Sequence, residues 1–341
     1  MNAFLRAALL ACLSLSACAA TQTSSPAGPA PMRIVERAPA DAYLAFWTAH
    51  AGADLETQVT AFSGQVAPTA PRLFGEAVLG LEGPGEAALA QRLRLYLPAV
   101  EPELARVQAV GASLPERVED AVVAFRAEMP MPAPAQIVLT ASLGSFDGMT
   151  AELDGVPTIL LAVDGIALFH PPGYDVQPLV HHELFHLLHA QRWNGAEQTT
   201  LAEALWFEGL ATYVSRQLNP EATATEVDGS PSLRAEVQAR LPELARAVVE
   251  QLDSEDPAVL EAFLSAGVDG DMPDRSGYIL GAIAAEQLAR AHSLDELMAL
   301  RGPALHDALR GVFASMQAGG SSRIRGRRLA TRRRGKRLTA P

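Results

Sequence analysis

Residues 182–186 read His-Glu-Leu-Phe-His, inside an apolar stretch, Leu179 to Ala190, that holds no helix breaker. In an α-helix, side chains four apart share a face. The stretch therefore predicts a helix that aims His182 and His186 at one point, with Glu183 one position round. Two imidazoles on one face are a nitrogen pair for a metal ion, and the neighbouring carboxylate can take a proton from water. The pair also constrains the fold. Two ligands do not close a site, so another part of the chain must return to supply more.

A structural zinc site would draw on cysteine, but the two cysteines are Cys12 and Cys18, both near the N-terminus. A catalytic site needs three protein ligands and one open position. The third ligand is expected at Glu208, in Leu205-Trp206-Phe207-Glu208-Gly209-Leu210, an apolar segment that reads as a second buried helix. A carboxylate there is costly to bury without a cation or hydrogen-bond partners. Residues 187–207 leave room for the first helix to end, a turn at Asn194-Gly195 and an antiparallel return. Glu203, five residues earlier, is the rival ligand.

The pattern His182-Glu183-x-x-His186, followed by Glu208-Gly209-Leu210-Ala211-x-Tyr213, resembles the gluzincin metallopeptidases, with slightly longer spacing than in thermolysin-like enzymes. It is more similar to uncharacterised bacterial families described as predicted zinc-dependent proteases. Those also carry Gly-Tyr-x-x-Gly at the start of a helix, here Gly277-Tyr278-Ile279-Leu280-Gly281. The resemblance covers about residues 135–300. It implies one Zn²⁺ per chain on His182, His186 and Glu208, with Glu183 as general base. It makes Tyr278 the first candidate for the hydroxyl that meets the developing oxyanion, and Tyr213 the second. It also implies a small sheet before the metal helix, with an edge strand along the cleft. Two departures matter. No Gly-x-Met-x-Asn-type motif precedes His182, so trimming from an amino terminus is not supported, and Thr212 stands where thermolysin-like enzymes place an acid.

The expected fold is α+β and mostly helical: a gluzincin-like catalytic domain over 131–318, preceded by a helical region over 35–130. Ser113-Leu114-Pro115-Glu116 and Ser293-Leu294-Asp295-Glu296 read as capping boxes, and Ser276 as the cap of the helix holding Tyr278. Two β-like runs, 136–142 and 158–169, flank turns at Gly144, Asp147-Gly148 and Asp154-Gly155. His181 and His189 read as core residues rather than ligands, and His170 carries no signal. Asp175, Glu203 and Asp271 are the carboxylates weighed as acceptors for the outer imidazole N–H groups.

Residues 1–17 read as a signal peptide, with Arg6 and an apolar core from Ala7 to Leu15 too short to span a bilayer. Leu15-Ser16-Ala17-Cys18 resembles the bacterial lipobox, which makes Cys18 the lipidation site and 18–34 a tether. The expected place is the cell envelope, lipid-anchored, at the outer membrane facing the periplasm. The chain carries 27 basic and 39 acidic residues, a net charge of −12. Nine of the basic residues lie in 323–337, so 319–341 reads as a basic, disordered tail. The expected partner is a peptide or protein substrate; no specific nucleic acid is expected, and no oligomeric state follows from the sequence. The alternatives are a catalytically idle envelope lipoprotein that serves as a binding module and a zinc hydrolase for a non-peptide amide. Glu183 argues against the idle form.

Overall fold

Branched apolar residues dominate 136–140 and 156–162, and both become buried strands. The computed structural model describes residues 33–332 apart from 80, 82–84, 133–134, 195–197 and 269, without the side chains of 33–35, 76–77 and 318–332. Cys18 and the leader lie outside the described residues. The strands are β1 (Arg33–Glu36), β2 (Gln136–Thr140), β3 (Gly148–Leu153) and β4 (Val156–Ala162). They form one sheet in the order β1-β2-β4-β3; β1, β2 and β4 are parallel, and β3 runs antiparallel to β4. The fold is α+β and mostly helical.

Among the described residues, five α-helices precede β2: α1 (Ala38–His50), α2 (Leu55–Gln65), α3 (Glu76–Leu79), α4 (Gly85–Val100) and α5 (Leu104–Glu128). After β4 come α6 (Val163–Phe169), α7 (Gln177–Arg192) and α8 (Leu201–Leu218). Then follow α9 (Ala224–Asp228), α10 (Leu233–Ala239), α11 (Leu241–Gln251), α12 (Pro257–Leu264), α13 (Ser276–Leu288), α14 (Leu294–Ala299) and α15 (Gly302–Arg332). Helix α7 packs on β3, β4, α5 and α8, and α8 packs along α13. Among the described residues, no helix is long and apolar enough to cross a membrane.

Several local expectations need correction. The run 158–169 is a strand and then a helix, since α6 starts at Val163. Ser113 caps nothing: it lies inside α5 and its hydroxyl donates to the Ala109 carbonyl. A serine mid-helix can satisfy itself that way. Ser276 is not the cap of α13; Arg275 holds that position, and the Ser276 hydroxyl is buried without a partner. As for bounds, β1 begins at Arg33 and α15 continues to Arg332. Arginine and alanine are strong helix formers. The Ser293 capping box is present at the start of α14.

One buried carboxylate ties the first helices to the wall of the site. Asp164, on α6, accepts from the Ser142 N–H at 2.7 Å, the Gly144 N–H at 3.0 Å and the Tyr96 hydroxyl at 2.8 Å. Tyr96 also meets the Tyr43 hydroxyl of α1. The loop after β2 is thereby fixed to α4 and α6. Asp164→Ala would take the acceptor from the buried Ser142 N–H, the half-buried Gly144 N–H and the Tyr96 hydroxyl, at about 1–3 kcal/mol for each group left unpaired. The expected result is a loss of about 3 kcal/mol in urea unfolding, and a change under about 1 kcal/mol would show that the donors find other partners.

Candidate metal centre

Helix α7 presents His182 and His186 as the spacing requires, and α8 brings Glu208 back against them. Glu208 Oε2 lies 3.2 Å from His182 Nε2 and 3.2 Å from His186 Nε2. One ligand atom from each of the three residues falls within 4.8 Å of the others. His186 and Glu208 are buried. The two imidazoles outweigh the cost of burial and hold the Glu208 carboxyl well below the usual carboxylate range. Burial lowers the pKa of His182, whereas the Glu208 charge raises that of His186.

Glu183 is 5% exposed, and its Oε2 meets no hydrogen-bond partner. Burial, with Glu208 and Asp147 nearby, pushes its pKa up to about 8. All four residues line one cavity of about 690 Å³. Two imidazole nitrogens and one carboxylate oxygen, from half-buried His182 and buried His186 and Glu208, beside a buried carboxylate whose Oε2 has no partner, match the donor set of a catalytic zinc site. His182, His186 and Glu208 are the residues that would hold the ion.

Glu203 is not brought to this cluster. Its Oε2 accepts from the Thr199 and Thr200 N–H groups, and the Thr200 hydroxyl caps α8 in return. The other two weighed acceptors are also elsewhere. Asp175 is exposed and accepts from the Gln177 N–H at the start of α7, and Asp271 is exposed near Arg240. His186 Nδ1 has no hydrogen-bond partner; the ring is oriented by stacking on Phe207, at 4.4 Å and 10°. His181 is a core residue: it accepts from Asn219 through Nδ1 and donates to the Ala121 carbonyl through Nε2, both at 3.0 Å. His189 is buried against Phe207 and Trp193, and burial drives its pKa down to about 3.

Tyr278 lines the cavity, with its ring nearly parallel to that of His182 at 6.1 Å. Tyr213 does not line it. The edge strand β3 forms one wall through Gly148, Met149 and Thr150. The Ala162 N–H donates to the Asp147 carbonyl at 2.8 Å, which sets the ladder's phase. In that phase the backbone groups of Gly148, Thr150 and Glu152 face away from β4. A Cβ on Gly148 would stand 3.0 Å from Leu179 and 3.4 Å from Glu183, so strand and metal helix touch at the site.

Three cavity residues were not anticipated. Asp147 Oδ2 accepts from His170 Nε2 at 2.6 Å, its Oδ1 accepts from the Gly148 N–H, and His170 stacks on Tyr174 at 3.7 Å. Hydrogen bonding and charge from His170 outweigh burial and hold the Asp147 carboxyl low. The third is Arg275, at the start of α13. No signal short of the fold joins these segments.

The fold brings the two histidines of the H-E-x-x-H run and a carboxylate of the following helix into one cluster that could hold a metal ion. Residues 154–304 match the family model described as Predicted Zn-dependent protease (DUF2268). The match spans both metal-ligand helices and α13, and it supports a zinc-protease family for this part of the chain. No curated protein and no solved structure matches the chain.

Proposed function

We propose that the protein is a zinc-dependent peptidase of gluzincin type that cuts internal peptide bonds and is anchored in the bacterial cell envelope through Cys18. The observation that carries the peptidase reading is the convergence of His182, His186 and Glu208 beside the buried Glu183 carboxylate, whose Oε2 has no hydrogen-bond partner. One Zn²⁺ per chain on those three residues would supply Lewis acidity towards water and towards the scissile carbonyl. Glu183 takes a proton from the attacking water and delivers it to the departing amine nitrogen. The Tyr278 hydroxyl donates to the carbonyl oxygen as negative charge develops there. The outward backbone groups of β3 offer an extended peptide donors and acceptors along the cavity wall. Cleavage inside a chain is favoured because no amino-terminus-trimming motif precedes His182. The lipobox-like Leu15-Ser16-Ala17-Cys18 supports the anchor.

Metal content by mass spectrometry tests the ligand set. Wild type and Glu203→Ala are expected to carry about one zinc per chain, and Glu208→Ala close to none. Glu203→Ala should instead lose about 1 kcal/mol of stability through its cap. Full zinc in Glu208→Ala, or none taken up by wild type on titration, would overturn the site.

A further inference from the structure

Arg275 is the one arginine or lysine among the described residues that line the cavity. The rest of the charged lining is acidic apart from histidine, and includes Asp147, Glu183, Glu208, Glu226 and Asp274. Its guanidinium carbon lies 4.3 Å from the centroid of the Tyr278 ring, so the cation stands over the ring face. Asp147 and Glu208 act on it through their charge, and together these neighbours outweigh burial and raise its pKa further.

The backbone adds an independent observation. Arg275 has φ +54°, in the left-handed region, at the position just before α13. A side chain with a Cβ is strained there, and glycine is not. A turn needing only that backbone would be better served by glycine. Strain of this kind gathers where a side chain is needed at a site. Here the left-handed residue directs its guanidinium over the ring of a tyrosine three positions later.

We propose that Arg275 is a positioning residue for Tyr278: it fixes the ring beside His182 and keeps the hydroxyl available to the substrate's carbonyl oxygen. This rests on the peptidase reading, in which Tyr278 is the oxyanion donor. A planar, weakly hydrated guanidinium suits the face of an aromatic ring better than the compact, strongly hydrated charge of an ammonium. Arg275 thus acts through Tyr278 rather than by holding the substrate itself.

The test uses Arg275→Gly, Arg275→Lys, Tyr278→Phe and the Arg275→Gly/Tyr278→Phe double variant of the zinc-loaded protein. Arg275→Gly is expected to keep its zinc and to melt no lower than wild type, because glycine accepts the left-handed backbone. Its kcat should nevertheless fall about 30-fold, with KM within about twofold, as for loss of a group that orients a site residue. Arg275→Lys should recover only part of this loss. The double variant should be no slower than Tyr278→Phe alone, since the two residues act as one unit. A crystal structure of Arg275→Gly should show the Tyr278 ring displaced from His182. Multiplying losses, or a raised KM at unchanged kcat, would mean that Arg275 meets the substrate directly and would overturn the proposal. An unmoved ring would overturn it too. A wild type that holds zinc but cuts no peptide would sink the peptidase reading, and the crystal structure would then decide the role of Arg275.

Discussion

Glu183→Gln is expected to hold zinc as wild type does and to cut peptides about 10³-fold more slowly. The amide keeps the shape of the carboxylate but cannot take a proton from water. Glu183 is absent from the ligand cluster, so metal content should not change. Loss of zinc in Glu183→Gln would show a ligand or folding role instead, and retained activity would show that another group is the base. The same substitution makes a second, signed prediction in the metal-free protein. Burial raises the folded-state pKa of Glu183 from the ordinary 4.5 to about 8. Below about pH 4.5 both folded and unfolded chains hold the proton, and the group has no effect on stability. As pH rises to about 8, the unfolded chain releases the proton first, and the fold loses up to about 1.4 kcal/mol per pH unit. Glutamine has no such loss. In the presence of a chelator, Glu183→Gln should gain on wild type between pH 5 and 8.5, by up to about 4 kcal/mol. A gap in urea midpoints that stays constant or narrows over that range would show that the carboxylate is well solvated.

The metal cluster was legible because helical spacing alone places His182 and His186 together, and because Glu208 sits where an uncompensated charge is costly. The position of Glu203 away from the cluster was legible too. Thr200-Leu201-Ala202-Glu203 has the spacing of a capping box, and the structure spends Glu203 on that cap. Strand β3 was harder to see. Gly148-Met-Thr-Ala-Glu-Leu153 holds only one β-branched residue, Thr150, and its pairing is set by the Asp154-Gly155 turn, whose φ angles are +53° and +77°. Apart from Thr158, Asp164 and Gly165 the run 158–169 is apolar, so periodicity alone could not divide strand from helix. Asp147, His170 and Arg275 meet in one cavity only because the sheet, the loop before α7 and the start of α13 converge. Arg275 gave no local hint, because no glycine or asparagine marks its left-handed turn.

The second large effect is expected at the crossing of α8 and α13. A Cβ added at Gly209 would stand 2.2 Å from Gly281 Cα, and one added at Gly281 would stand 2.2 Å from the Leu205 carbonyl oxygen. Both obstacles are backbone, so no side chain can swing aside. Gly281→Ala or Gly209→Ala must push the helices apart, and each is expected to cost about 4 kcal/mol, beyond the usual 1–3 kcal/mol for overpacking. Ordinarily Gly→Ala inside a helix stabilises by about 1 kcal/mol. Gly311→Ala, in α15 with nothing within 4 Å of its added Cβ, is the matched control and should raise the melting temperature. The crossing also explains why the two glycine motifs belong to the site. Gly209 follows Glu208, and Gly281 lies three residues after Tyr278, so the close approach sets the distance between ligand helix and tyrosine helix. Separating them should weaken zinc binding as well as the fold, whereas Asp164→Ala should lower stability with little change in zinc affinity. Equal melting temperatures for Gly281→Ala and Gly311→Ala would mean that the helices can part without cost and that the glycines are not what holds Glu208 and Tyr278 in place.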